Sequence, residues 1–137
     1  MQEIAKSYSG NFTGYPHTNS ASDGTNNNSI RLGYGASGSQ ALVPDVRVSN
    51  VNQINYVQGV LSGILFAKTA LAVKLNNTQF AFNGTTSTAD TNCNIPTVNL
   101  FNLGRDGDGG NPWTGYIKRL TYWPSRLPND TLQTITL

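Results

Sequence analysis

The sequence is short of charge, cysteine, histidine and helical pattern, and each shortage removes a class of function. Charged residues make up 12% of the 137 positions and leave a net charge of +2. No Lys/Arg cluster is available to neutralise a row of phosphates, so a nucleic-acid partner is not expected. The single Cys93 cannot form an internal disulfide, and His17 is the one histidine that could activate it. A buried or loop thiol and a solvated histidine are therefore predicted in place of a nucleophilic pair. The longest apolar stretch, residues 59–73, is interrupted by Gly63 and Lys68, and neither a membrane span nor a leader segment is expected. Glu3 is the only glutamate, and the aspartates are read in turns or loops, apart from Asp45 in the run 42–49. A sugar hydrolase needs two carboxyls held at a set separation on a sheet face, and residues 65–82 offer none. The chain is expected not to be an enzyme.

What is present is strand pattern. Short runs rich in Val, Ile, Thr and aromatics alternate with clusters of Gly, Asn, Asp and Ser. A first strand is read over residues 3–8, and a polar loop with one short strand inside it over residues 10–28. In residues 29–34, Ile30, Leu32 and Tyr34 share one face and Arg31 takes the other. Residues 42–49 form a strand whose Pro44 places it at an edge or bulge, continued over residues 51–57. Leu71, Val73 and Leu75 face one way from the next strand, with the small Ala70 and Ala72 opposite. Those alanines suggest close contact with a second sheet or an aromatic ring. Asn76-Asn77 and Asn83-Gly84 supply residues that tolerate tight hairpin turns, and between them Phe80 and Phe82 share a face. Residues 98–103 are a further strand, and a Gly-rich loop follows at 104–110. The whole is predicted to be one all-β domain over residues 1–137, a two-sheet antiparallel jelly-roll sandwich with a short C-terminal helix.

The closing stretch carries the most specific pattern. In residues 115–124 the apolar alternation slips by one place between Ile117 and Leu120, which predicts a bulge near Lys118-Arg119 in a long buried strand. Pro124 ends the pairing, and Asn129 or Asp130 is placed to cap a helix whose Leu132 and Ile135 return to the core. Gly115-x-Ile-x-Arg-Leu-x-Tyr-Trp-Pro-x-Arg-Leu127 with Leu132-Gln133 resembles the end of the laminin-G-like branch of concanavalin A-like jelly rolls. It is more similar still to the C-terminal end of tail and other virion proteins of bacteriophages. The runs 23–32 and 68–74, then Asn83-Gly84 and Leu103-Gly104, follow in the order of that family. The similarity spans residues 23–136; residues 1–22 match weakly, so part of the sandwich edge is either residues 4–8 or a strand from another protomer. The resemblance implies a position on the exterior of a phage particle, in tail, fibre or capsid, among other virion proteins and as a homo-oligomer.

Three groups of side chains are candidates for a site. Asp106 and Asp108, two apart in a Gly-rich loop, can turn oxygens to one hard cation, and many laminin-G-like domains hold calcium at a loop rim. The same residues build an ordinary turn, which is the preferred reading. Trp113, directly after this loop, can stack on a sugar ring while Asn111, Asp108 and Arg105 bond its hydroxyls; its alternative is to plug the end of the sandwich. Arg126 is expected to tie the closing turn together. The function expected is a non-catalytic module that binds host surface glycan through its rim loops. The rival is a decoration or assembly protein of capsid or tail with no sugar ligand.

Overall fold

The computed structural model describes residues 2–5, 17–34, 41–54, 56, 58–60, 66–113 and 116–137. The predicted turn at residues 35–40, and those parts of the predicted first strand and loop that fall on residues 6–16, lie outside the described residues. Among the described residues eleven strands and one helix follow in chain order: β1 (Gln2–Ala5), β2 (His17–Ser22), β3 (Ser29–Tyr34), β4 (Ala41–Val48), β5 (Val51–Asn52), β6 (Gln58–Val60), β7 (Phe66–Ala72), β8 (Gln79–Phe82), β9 (Thr85–Thr86), β10 (Leu100–Leu103), β11 (Tyr116–Leu120) and α1 (Asn129–Ile135). All pairings among the strands are antiparallel. One sheet runs β11-β1-β7-β8-β9 and the other β10-β2-β3-β4-β5, with β6 also on β4. The fold is thus an all-β sandwich with one short helix.

The inner faces meet as alternation requires. Leu32 and Leu42 from one sheet pack with Ala67, Phe80 and Phe82 from the other, joined by Tyr56, Leu71 and Trp113. Val46, Ile54 and Cys93 extend this layer. The outer alanines do not meet a sheet or a ring: Ala70, Ala72 and Ala81 receive Leu132 of α1, with Leu127 and Ile135 beside it. Small side chains let the helix lie close on the outside of β7 and β8, and it covers that sheet there. Thr136 fastens it there, its Oγ1 accepting the Gly84 N–H at 3.2 Å. Asn129 and Asp130 do not cap the helix; Pro128 holds that position without a side-chain bond, its fixed φ suiting the start of a helix.

Several local expectations hold. Asn83 and Gly84 both take positive φ, 42° and 77°, and turn β8 into β9. The register of β1 against β11 skips Lys118, because Glu3 faces Arg119 and Ile4 faces Ile117; this is the bulge that the apolar slip predicts. Arg126 ties the closing turn, donating to Asn77 O, Leu127 O and Asn129 Oδ1.

Other details differ. Among the described residues β11 is an edge strand, not a buried one, with Tyr116 and Leu120 exposed. The run after residue 48 does not continue β4: Ser49 and Asn50, at φ 50° and 64°, reverse it into β5. Pro44 sits in β4 between β3 and the β5/β6 side, yet its place is physically apt. The Val46 carbonyl accepts the Gln53 N–H, so alternate residues, Pro44 among them, turn their backbone to that side. There β5 pairs only Arg47 and Val48, and β6 only Ala41 and Leu42, so no ladder donor is missed at Pro44.

Candidate functional site at the β10–β11 loop

The loop between β10 and β11 does not project from the sandwich end. Its base is closed by the Trp113 N–H donating to Gly104 O at 2.8 Å, while its tip folds back on β2 and the β2–β3 turn. Ser22 Oγ donates to Gly107 O at 3.2 Å, and Asn102 Nδ2 donates to the Asp106 and Gly107 carbonyls. Gly107 is required by this approach: a Cβ there would lie 2.4 Å from the Thr25 carbonyl oxygen. Loop and turn are thereby held as one body.

Asp106 is fully buried where the two segments meet. Its Oδ2 accepts from Asn111 Nδ2 at 2.6 Å and from Asn26 Nδ2 at 3.3 Å. Asn26 Nδ2 also donates to Asp108 Oδ2 at 2.7 Å. The orientation of this amide is set by its other end, because Asn26 Oδ1 accepts the Gly107 N–H at 2.9 Å. Asp108 Oδ1 accepts the Gly110 N–H at 2.9 Å.

The two carboxyls titrate in opposite directions. Burial first, and then its hydrogen bond to Asp108, holds Asp106 above the ordinary 3.8. The bond from Asp106 and that from the Gly110 backbone hold Asp108 below it. Opposite directions of this kind are what a carboxyl hydrogen-bonded to a carboxylate gives. For Asp106, whose folded value is raised, the stabilisation is full below the ordinary 3.8 and is lost as pH rises through the raised value. For Asp108 the sense is reversed: its stabilisation is present above 3.8 and is lost as pH falls through the lowered value. Asp106→Asn keeps a donor toward Asp108 but has no proton to lose. The wild type is therefore expected to lose stability relative to this variant between about pH 4 and about pH 7. Urea unfolding of both proteins at the two pH values checks it, and parallel profiles would refute a shared proton.

Of the residues singled out from the sequence, the structure brings Asp106, Asp108 and Asn111 together. Arg105 is exposed on the same loop, its chain about 3.8 Å from where a Cβ on Gly109 would stand. Trp113 turns the other way, half-buried against the central core cluster. That is the end-plug geometry. Asn26 is the member that sequence reasoning missed; it lies 80 residues from Asp106, and its only local signal is a polar turn. A calcium ion takes six to eight oxygens, whereas Asn26 and Asn111 present amide nitrogens to the carboxyls. Among the described residues no three His, Cys, Asp or Glu side chains are grouped to hold a metal.

Cys93 is buried, its Sγ 2.9 Å from Thr78 Oγ1. Among the described residues no helix is long and apolar enough to cross a membrane. Comparison of the chain with family models, with curated proteins and with solved structures finds no match.

The second surface of note is apolar. Among the described residues β10 and β11 are edge strands, each at the end of its own sheet. Between them Leu100, Phe101, Leu103, Tyr116 and Leu120, with Tyr122 just beyond, are all more than 40% exposed. Apolar side chains collected on unpaired edges are a template for association.

Proposed function

We propose that the protein is a non-catalytic module of a bacteriophage particle, a jelly-roll of the concanavalin A-like kind that assembles with copies of itself on the particle exterior. The observation that carries this reading is the pair of apolar edges, β10 and β11. Burying an exposed Phe or Leu there would contribute roughly 1.5–3 kcal/mol per side chain, enough for a few such residues to drive association. The low charge of the chain removes the electrostatic barrier to like copies meeting. The resemblance of residues 115–133 to virion proteins supplies the setting.

Sedimentation velocity over a range of protein concentrations tests the reading. Concentration-dependent association is expected, and the double substitution Phe101→Ser with Tyr122→Ser is expected to abolish it without unfolding the chain. A wild type that stays monomeric at the highest concentration reached would sink the assembly reading.

A second reading is favoured by one observation, the rigid polar cluster of Asn26, Asp108 and Asn111 at the loop rim. Such a cluster suits the hydroxyls of a host surface glycan, each site weak and strengthened by many copies on one particle. Selective binding on a glycan array, lost with Asn111→Ala, is the outcome that would put this reading first. Loss of that binding with a chelator would add calcium, with Asp106 and Asp108 as its ligands.

A further inference from the structure

Open sheets end in edge strands, and an edge that is to stay unpaired carries a guard: short length, a bulge, a proline or exposed cations. Among the described residues β9 and β11 end one sheet and β5 and β10 the other, with β6 also on β4. β5 and β9 are two residues long and β6 is three, too short to template a partner strand. β11 is longer, but a bulge at Lys118 breaks its line, and Lys118 and Arg119 stand exposed along it. β10 has no such guard. Its sequence Leu100-Phe-Asn-Leu103 holds neither charge nor proline, and its register against β2 runs without a shift. No charged residue occurs over residues 94–104, so two copies of this stretch meet without repulsion.

The backbone of β10 has an outward set of hydrogen-bonding groups. Gly104 N–H donates to Thr18 O at 2.8 Å, which turns Gly104 toward β2. Alternate residues of an antiparallel ladder face the same neighbour, so Asn102 and Leu100 also turn their backbone groups to β2. Phe101 and Leu103 turn theirs the opposite way. Among the described residues no strand pairs with β10 on that side. Phe101 and Leu103 share one face of the sheet, opposite Ala21 and Asn19, and their side chains are 55% and 53% exposed. Leu120 and Tyr122 of the other sheet border the same stretch of surface as Phe101.

We infer that β10 pairs with β10 of a second copy of this chain, antiparallel and about a two-fold axis through Asn102. Phe101 then exchanges N–H and C=O bonds with Leu103 of the second copy, and Leu103 does so with its Phe101. Asn102 stands opposite its own counterpart in a non-hydrogen-bonded pair. Axes through Phe101 or Leu103 also use the outward groups, but they set Leu103 against Asn99, or Phe101 against Arg105. The axis through Asn102 puts apolar beside apolar. Such a contact is isologous and closes on itself, so it yields a dimer, not a fibre. Phe101 and Tyr122, with Leu100, Leu103 and Leu120, bring roughly 300–500 Å2 of apolar surface from each copy. That is about half of the ~800 Å2 per partner in a standard interface, before any backbone or loop is counted. The inference rests on the assembly reading and names how its copies meet.

Leu103→Pro is the first test, because proline at an outward position removes a bond to the second copy and leaves the ladder with β2 intact. Sedimentation velocity is expected to show association at least tenfold weaker than in the wild type, with an unchanged near-ultraviolet circular dichroism spectrum. Amide exchange of the wild type needs no variant. Between dilute and concentrated protein, Phe101 and Leu103 are expected to slow at least tenfold, while Leu100 and Asn102 are slow in both. The register is read by cross-linking: non-hydrogen-bonded partners have Cα atoms about 4.5 Å apart, within reach of a disulfide. Asn102→Cys is expected to give a linked dimer on mild oxidation and Lys118→Cys is not, the native Cys93 being buried. Phe101 and Leu103 amides indifferent to concentration, or linkage through Lys118→Cys in place of Asn102→Cys, would overturn the inference. If the wild type still associated, and Phe101→Ser with Tyr122→Ser still prevented it, the assembly reading would survive that result. A monomeric wild type would remove both.

Discussion

Asp45→Ala is expected to lower folding stability by about 3–5 kcal/mol, because it strands a buried guanidinium. Arg31 on β3 faces Asp45 on β4 directly across the ladder, and the two form an ion pair with side chains only 6% and 12% exposed. Arg31 Nε has no hydrogen-bond partner among the described residues, so the Asp45 carboxylate is the principal compensation for the buried charge. Arg47 also reaches Asp45, Nε to Oδ2 at 2.9 Å, but from a side chain one-third exposed. Water replaces its partner there, and Arg47→Ala should cost no more than about 1 kcal/mol. The paired replacement Arg31→Met with Asp45→Leu removes both charges and should recover most of the loss. Urea unfolding of the four proteins measures all of this. A cost below about 1 kcal/mol for Asp45→Ala would mean that Arg31 reaches water, contrary to its burial.

Phe80→Ala is expected to cost about 3–5 kcal/mol by a different mechanism, loss of transfer free energy together with a cavity. Phe80 is fully buried and stands in the cluster that joins the two sheets. Its neighbours are fixed to separate sheets by their own ladders, so the layer has little freedom to close over the gap. Phe82→Ala should cost less, since that ring is 8% exposed. The midpoint of urea unfolding should fall while its slope stays unchanged, because the surface exposed on unfolding is nearly the same. A changed slope would point to sheets that no longer pack. These two substitutions differ in kind, one removing the partner of a charge and the other removing volume.

Much of the fold could be read from local pattern. Period-two alternation marked Ile30 with Leu32, Phe80 with Phe82 and Leu71 against Ala72, because a pleated strand sends successive side chains to opposite faces whatever lies around it. Asn83-Gly84 announced its turn through the positive φ that few other residues tolerate. The one-place slip before Leu120 announced the bulge at Lys118. The errors came where the answer depended on neighbours. The alternation in β11 looks the same at the centre of a sheet as at its edge, and only the strand order leaves Tyr116 and Leu120 exposed. Arg31 reads as the solvent side of β3, yet pairing with Asp45 lets it be buried. Asn129 and Asp130 are good capping residues, but Pro128 took the position.

The site shows the same division more sharply. The residue types of the loop, with Asp106 and Asp108 two apart and glycines around them, fixed that it would be polar and tightly turned. That it folds back on β2, that Asn26 enters from 80 positions away, and that one carboxyl is buried beside its twin were settled by packing. Trp113 likewise has an intrinsic preference for a half-buried place with an apolar body, which a glycan rim and a core plug both satisfy; in the fold it packs against the central core cluster. By itself the sequence determined that this chain forms strands, where they turn, which faces are apolar and that little charge is available. Only the tertiary structure decided which strands lie at the sheet edges among the described residues, and which distant polar groups come together. The reason is physical: pleat and turn preferences act over two to four residues, whereas burial and hydrogen bonding depend on which distant segments come to lie side by side.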